Sequence, residues 1–167
     1  MILNTLTPPI TVEACFPDNS IGSITFPNDL YDTKTRYVVI YFYPGDFTSI
    51  CATEVLAFHA AMSRFGELGV KLVACSTNGA ETHAAWKTTP KLNGGLGTAV
   101  NHTMLSDTCR ALSTFFDVLI PGRNIATRGL FIIGKDGRIL LESRQDTKTP
   151  RCVETVEQWI RNLVYMQ

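Results

Sequence analysis

Residues 36–43, RYVVIYFY, form an unbroken β-branched and aromatic run with Pro44-Gly45 directly behind it. A strand with no polar side must be buried on both faces, which demands a layer of structure above and below it. From Ser49 the period becomes helical: Cys51, Val55, Phe58, Met62 and Phe65 make one apolar stripe that stops near Gly66. GVKLVACS (69–76) reads as a second buried strand, and GAETHAAWKTTP (79–90) as a helix ended by Pro90. NGGLG (93–97) reads as a flexible loop, HTMLSD as a short strand and TCRALSTFFDV as a helix. TRGLFIIGKDGRILLESRQD is a hairpin turning at Gly-Lys-Asp-Gly, and Pro150 opens a last helix with Val153, Val156, Ile160 and Val164 on one face. The first 35 residues, rich in Pro, Asn, Asp and Thr, read as loop and short edge strands. The expected fold is α/β, a mixed central sheet flanked by helices, in a single domain over residues 1–167.

Composition narrows the function. Hydrophobic residues make up 45% and charged ones 18%, as in soluble globular chains. Fifteen basic residues balance fifteen acidic ones without long runs of either sign, so nucleic acid is not an expected partner. No segment approaches the ~20 apolar residues of a membrane span, and no basic start leads into an apolar stretch, so a cytoplasmic location is expected. His59, His83 and His102 lack metal-ligand spacing. Surface or interface placement is expected for His59, and a helix-to-helix contact for His83. No metal centre is expected.

The cysteines are Cys15, Cys51, Cys75, Cys109 and Cys152, an odd number without a C-x-x-C pair. That argues against a disulfide framework or zinc ribbon and for mostly buried packing thiols. Cys51 stands apart. It falls in the first helical turn after a buried strand, where free N–H groups and the helix dipole favour a thiolate, the nucleophilic form. Thr48, three residues earlier, can cap the helix with its hydroxyl or bond the sulfur. Glu54 lies one turn further on, and Pro44 can shield the thiolate from water.

PGDFTSICATE resembles the active-site stretch of the peroxiredoxins: Pro, three residues, Thr or Ser, two residues, Cys. YFYPGDFTSICATEVLAF, HAAWKTTPKLNGGLG, LSDTCRALSTFFDVLI and RGLFIIGKDGRI resemble successive blocks of the typical two-cysteine branch, in its order. The resemblance implies a thioredoxin-like fold, a hydroperoxide substrate and no cofactor. It implies that Cys51 is the peroxide-attacking cysteine, Thr48 the hydroxyl that orients the peroxide, Pro44 the residue closing the pocket, and Arg128 the guanidinium beside the thiolate. Supporting roles follow for Glu54 and Arg151 around Arg128, with Tyr43 and Trp86 framing the site. It further implies homodimers and rings of dimers, and the second hairpin strand would otherwise leave an exposed edge.

Two departures stand out. Ala52 occupies a position where the family usually carries proline, a residue suited to a first helical turn. The sequence also stops at Gln167, before the tail that carries the family's resolving cysteine, although GGLG (94–97) normally accompanies that tail. The expectation is tail loss, natural or by truncation, and reduction by an external thiol, thioredoxin-like or otherwise. Cys15 is the most mobile of the other cysteines on this reading, Cys109 sits in a helix and Cys152 starts the last one. The alternatives are a redox-controlled chaperone or signalling protein with little turnover, and a glutathione-peroxidase-like enzyme whose glutamine and tryptophan neighbourhoods are not evident.

Overall fold

A computed structural model describes residues 1–166; Gln167, and with it the expected tail loss, lies outside them. The strands are β1 (Ile10–Cys15), β2 (Ile21–Phe26), β3 (Tyr37–Phe42), β4 (Val70–Ser76), β5 (Thr103–Ser106), β6 (Arg128–Gly134) and β7 (Ile139–Gln145). The helices are α1 (Ser49–Glu67), α2 (Ala80–Thr88), α3 (Ala111–Phe115) and α4 (Val153–Tyr165). One sheet runs β2-β1-β5-β4-β3-β6-β7, with β3 parallel to β4 and antiparallel to β6. This is the mixed α/β sheet expected.

The apolar run explains the layering. All six β3 residues are buried, and alternate ones face opposite sides. Tyr37, Val39 and Tyr41 join a core with Val55, Phe58 and Phe65 of α1 and Val156 and Ile160 of α4. Val38, Ile40 and Phe42 join a second core with Leu112 and Phe116 around α3. Helix α1 buries Cys51, Val55, Phe58, Ala61 and Phe65, so Ala61 takes the inward place expected of Met62, which packs at the edge. The helix ends where Gly69 adopts φ +77°, a left-handed conformation that glycine takes at little steric expense. Among the described residues no helix is long and apolar enough to cross a membrane.

Several local expectations change. The N-terminal segment is more ordered than loop: β1 and β2 form a hairpin, and β1 pairs with β5 inside the sheet. Cys15, at the end of β1, is fully buried rather than mobile. Cys109 lies in an exposed turn before α3, because Asp107 caps that helix by accepting from the Leu112 and Ser113 amides and starts it later. Helix α4 begins at Val153, beyond Pro150, with Cys152 as its exposed cap residue. The NGGLG segment is tied down rather than free. Leu96 is buried, its N–H donates to Trp86 O at 2.8 Å and the Gly97 N–H to Thr89 O at 3.0 Å. A Cβ on Gly95 would fall 1.9 Å from the Thr89 carbonyl oxygen, so only glycine permits this approach.

Candidate active site

The end of β3 and the start of α1 make the site. After β3 the chain turns through Pro44 to Phe47, and Phe47 takes φ 61°, costing about 1–2 kcal/mol for a side chain in left-handed geometry. That reversal brings Thr48 to the head of α1 in the extended conformation of a cap residue. Its hydroxyl does not cap the helix as expected; it donates to Gly45 O at 2.9 Å. The loop therefore closes on itself, while the backbone N–H of Ala52 donates to Thr48 O at 2.9 Å and closes the first turn of α1. The N–H that proline would lack is in use here.

Behind the loop lies a buried polar assembly. The Tyr43 hydroxyl donates to Asp46 Oδ1 at 2.6 Å. Burial, reinforced by that carboxylate, pushes the phenol well above its ordinary range, which keeps it a donor. His83 bridges Asp46 Oδ2 (2.6 Å) and Leu105 O (3.0 Å), and Asn78 Oδ1 accepts from the Asp46 N–H at 2.9 Å. His83 is thus a fully buried anchor for the loop rather than a helix-to-helix contact. Tyr43 and Trp86 pack ring to ring with centroids 5.8 Å apart. They frame the loop from behind and do not line the pocket.

Cys51 points inward from the first turn of α1, 1% exposed. Arg128, at the start of β6, places Nη2 3.2 Å from Cys51 Sγ, turns Nη1 to Glu54 Oε1 and donates from Nε to Thr147 O at 3.1 Å. Glu54 also accepts from Arg151 Nε at 2.8 Å and from the Arg151 backbone N–H at 2.7 Å. Glu54, Arg128 and Arg151 are all buried, so each charge needs the others. Arg151 further donates from Nη1 to Gly129 O at 2.6 Å, and its guanidinium carbon lies 5.2 Å from the centre of the Tyr41 ring. Cys51, Arg128, Pro44 and Thr48 line one pocket of about 380 Å³, with Ile50, Arg123, Ile125 and Thr147 among its other walls.

The remaining thiols are differently placed. Burial pushes the Cys75 thiol well above its ordinary range, with the Asp107 charge adding to it. Among the described residues no two cysteines are bonded, and no cluster of His, Cys, Asp and Glu is arranged to hold a metal. Sequence reading missed Asp46, Asn78, Arg123 and the Thr147 carbonyl. Asp46 sits inside the quoted motif, but its partner His83 is 37 residues away, and only the closed fold joins them.

Residues 12–141 match the AhpC/TSA family. A peroxiredoxin of Oncorhynchus mykiss is 36% identical over 152 residues, covering 90% of this chain and 74% of that protein. The chain belongs to the peroxiredoxin family. The human mitochondrial thioredoxin-dependent peroxide reductase is 38% identical over 138 residues, 83% of this chain and 54% of that protein. The chain thus spans about half the length of that relative and of the chloroplastic 2-Cys peroxiredoxin BAS1 of Arabidopsis thaliana, of which it covers 49%. The reduced 2-Cys peroxiredoxin of Plasmodium vivax superposes with a TM-score of 0.91 at 30% identity, over 99% of this chain and 83% of that one. The thioredoxin-like peroxiredoxin fold and the two-cysteine branch that the motifs resemble are the ones found.

Proposed function

We propose that the protein is a thiol-dependent peroxidase that reduces hydrogen peroxide and organic hydroperoxides through Cys51. The observation that carries this reading is the 3.2 Å approach of Arg128 Nη2 to Cys51 Sγ at the floor of a pocket bordered by Thr48. The thiolate sulfur attacks the nearer peroxide oxygen; an S–O bond forms as the O–O bond breaks. The electron pair leaves on the far oxygen, which takes a proton and departs as water or an alcohol. Cysteine is oxidised to sulfenic acid and the peroxide is reduced. Negative charge shifts from sulfur to the departing oxygen, where the Arg128 guanidinium can meet it without reorganising, while the Thr48 oxygen can accept the peroxide proton.

An external thiol, thioredoxin or one like it, returns the sulfenic acid to thiol with release of water, through a mixed disulfide that a second thiol opens. The name of the human relative supports this reductant. Homodimers are proposed through the edge of β7, which pairs only with β6 and whose residues beyond Ile139 are half-buried; rings of dimers would use a second surface. A cytoplasmic setting is proposed from the exposed free thiols Cys109 and Cys152, which a reducing compartment preserves.

Peroxide consumption with thioredoxin or dithiothreitol, compared between wild type and Cys51→Ser, tests the proposal. Loss of turnover in the variant is expected. Consumption unchanged by the substitution overturns the peroxidase reading and favours the chaperone or signalling alternative.

A further inference from the structure

We infer that Arg123 forms an anion subsite at the mouth of the peroxide pocket, so that organic hydroperoxides carrying their own carboxylate are preferred substrates. This rests on the peroxidase reading of the same pocket.

Burial gives the pocket a depth. Cys51 and Arg128 are 1% and 2% exposed and form its floor. Pro44, Ile50, Ile125 and Thr147 are half-buried walls, while Thr48, Ser49 and Arg123 are exposed at the rim. The volume of about 380 Å³ far exceeds what hydrogen peroxide fills, since a water takes roughly 30 Å³ of liquid. Pro44, Ile50 and Ile125 make part of that space apolar, suited to a carbon skeleton between floor and rim.

The charges differ between the two ends. At the floor, Glu54 meets both Arg128 and Arg151. At the rim, no carboxylate among the described residues pairs with Arg123. Its backbone is nevertheless held. The Arg123 N–H donates to Ile120 O and the Ile120 N–H to Ile125 O, each at 3.0 Å, while Thr77 Oγ1 donates to Asn124 O at 2.7 Å. Gly122, at φ +77°, makes the tight turn that presents the next residue. A guanidinium on a fixed turn, with its fork free, matches a carboxylate in two parallel hydrogen bonds. A substrate anchored there lays its apolar part on Ile50 and Ile125 and reaches Cys51 with its hydroperoxide. The chemical step at Cys51 is unchanged; the carboxylate takes no part in it.

A matched pair tests this: para-carboxycumene hydroperoxide and its methyl ester, with the rate constant for Cys51 oxidation measured for each and for hydrogen peroxide. Wild type is expected to favour the acid about fivefold at low salt, the upper range for an exposed ion pair, with the preference shrinking as salt is raised. The acid-to-ester ratio should fall toward one in Arg123→Gln and below one in Arg123→Glu. A wild-type ratio of one, or a preference that survives in Arg123→Gln, overturns the subsite while leaving the peroxidase standing, provided hydrogen peroxide still oxidises Cys51. Failure of all three peroxides to oxidise Cys51 overturns the peroxidase reading and the subsite with it.

Discussion

Glu54 Oε1 accepts from Arg128 Nη1, while Nη2 of the same guanidinium lies 3.2 Å from Cys51 Sγ, so the carboxylate sets the angle at which Arg128 meets the sulfur. Replacing Glu54 with Gln leaves two buried guanidinium groups without their shared carboxylate. We expect a loss of about 3–5 kcal/mol in stability, read by urea unfolding. Cys51 oxidation should slow about tenfold when followed by stopped-flow, the lower end for losing a group that orients another. A variant as stable and fast as wild type would show that Arg128 is held by its other contacts.

Arg128 bonds Glu54, Cys51 and the Thr147 carbonyl with three different nitrogens. Lysine offers charge without that fork. Arg128→Lys is expected to slow peroxide reduction about a hundredfold, the scale seen when a preorganised transition-state donor is removed. Retention of the full rate would mean that positive charge alone is sufficient.

Thr48 spends its hydroxyl proton on Gly45 O, which leaves its oxygen lone pairs free for an incoming peroxide proton. Thr48→Val should therefore slow Cys51 oxidation by tenfold or more, while Thr48→Ser keeps most of the rate. Equal rates in the two variants would remove the hydroxyl from the reaction.

His102 is buried, and its Nε2 lies 2.7 Å from the Tyr41 hydroxyl; burial holds its pKa down at about 3. The unfolded chain takes up this proton near pH 6.5, before the folded one does. The stability held by the neutral ring is complete above pH 6.5 and is lost as pH falls toward 3, by up to about 1.4 kcal/mol per pH unit. His102→Asn should flatten that acid limb in urea titrations at stepped pH. An unchanged slope would assign the acid sensitivity elsewhere.

Ala52→Pro removes the N–H that closes the first turn of α1 on Thr48 O. We expect about 1 kcal/mol less stability and faster trapping of Cys51 by a bulky thiol reagent. Slower trapping would mean that the proline ring stiffens the turn more than the lost bond loosens it.

The parts legible in the sequence were those with local, periodic signals. The unbroken RYVVIYFY run and the stripe on α1 located the central strand and its helix, and Pro44, Thr48, Cys51 and Arg128 do line one pocket. Strands β1 and β2 were harder, because ITVEAC and IGSITF alternate weakly and pair through a sheet order no local window reveals. The bond made by the Thr48 hydroxyl is not legible in the sequence because two acceptable bonds compete, and the reversal at Phe47 decides between them. Asp46 and His83 gave no separate signal, since each becomes informative only beside the other.

On the proposed reading a small peroxide reaches Cys51 through its pocket, yet at 1% exposure the sulfur is shut away from any thiol on another protein. A protein reductant would then need the first turn of α1 to open, and the bond from the Ala52 amide to Thr48 O is one of the contacts such opening breaks. The ease with which that turn frays would then enter the lifetime of an oxidised Cys51.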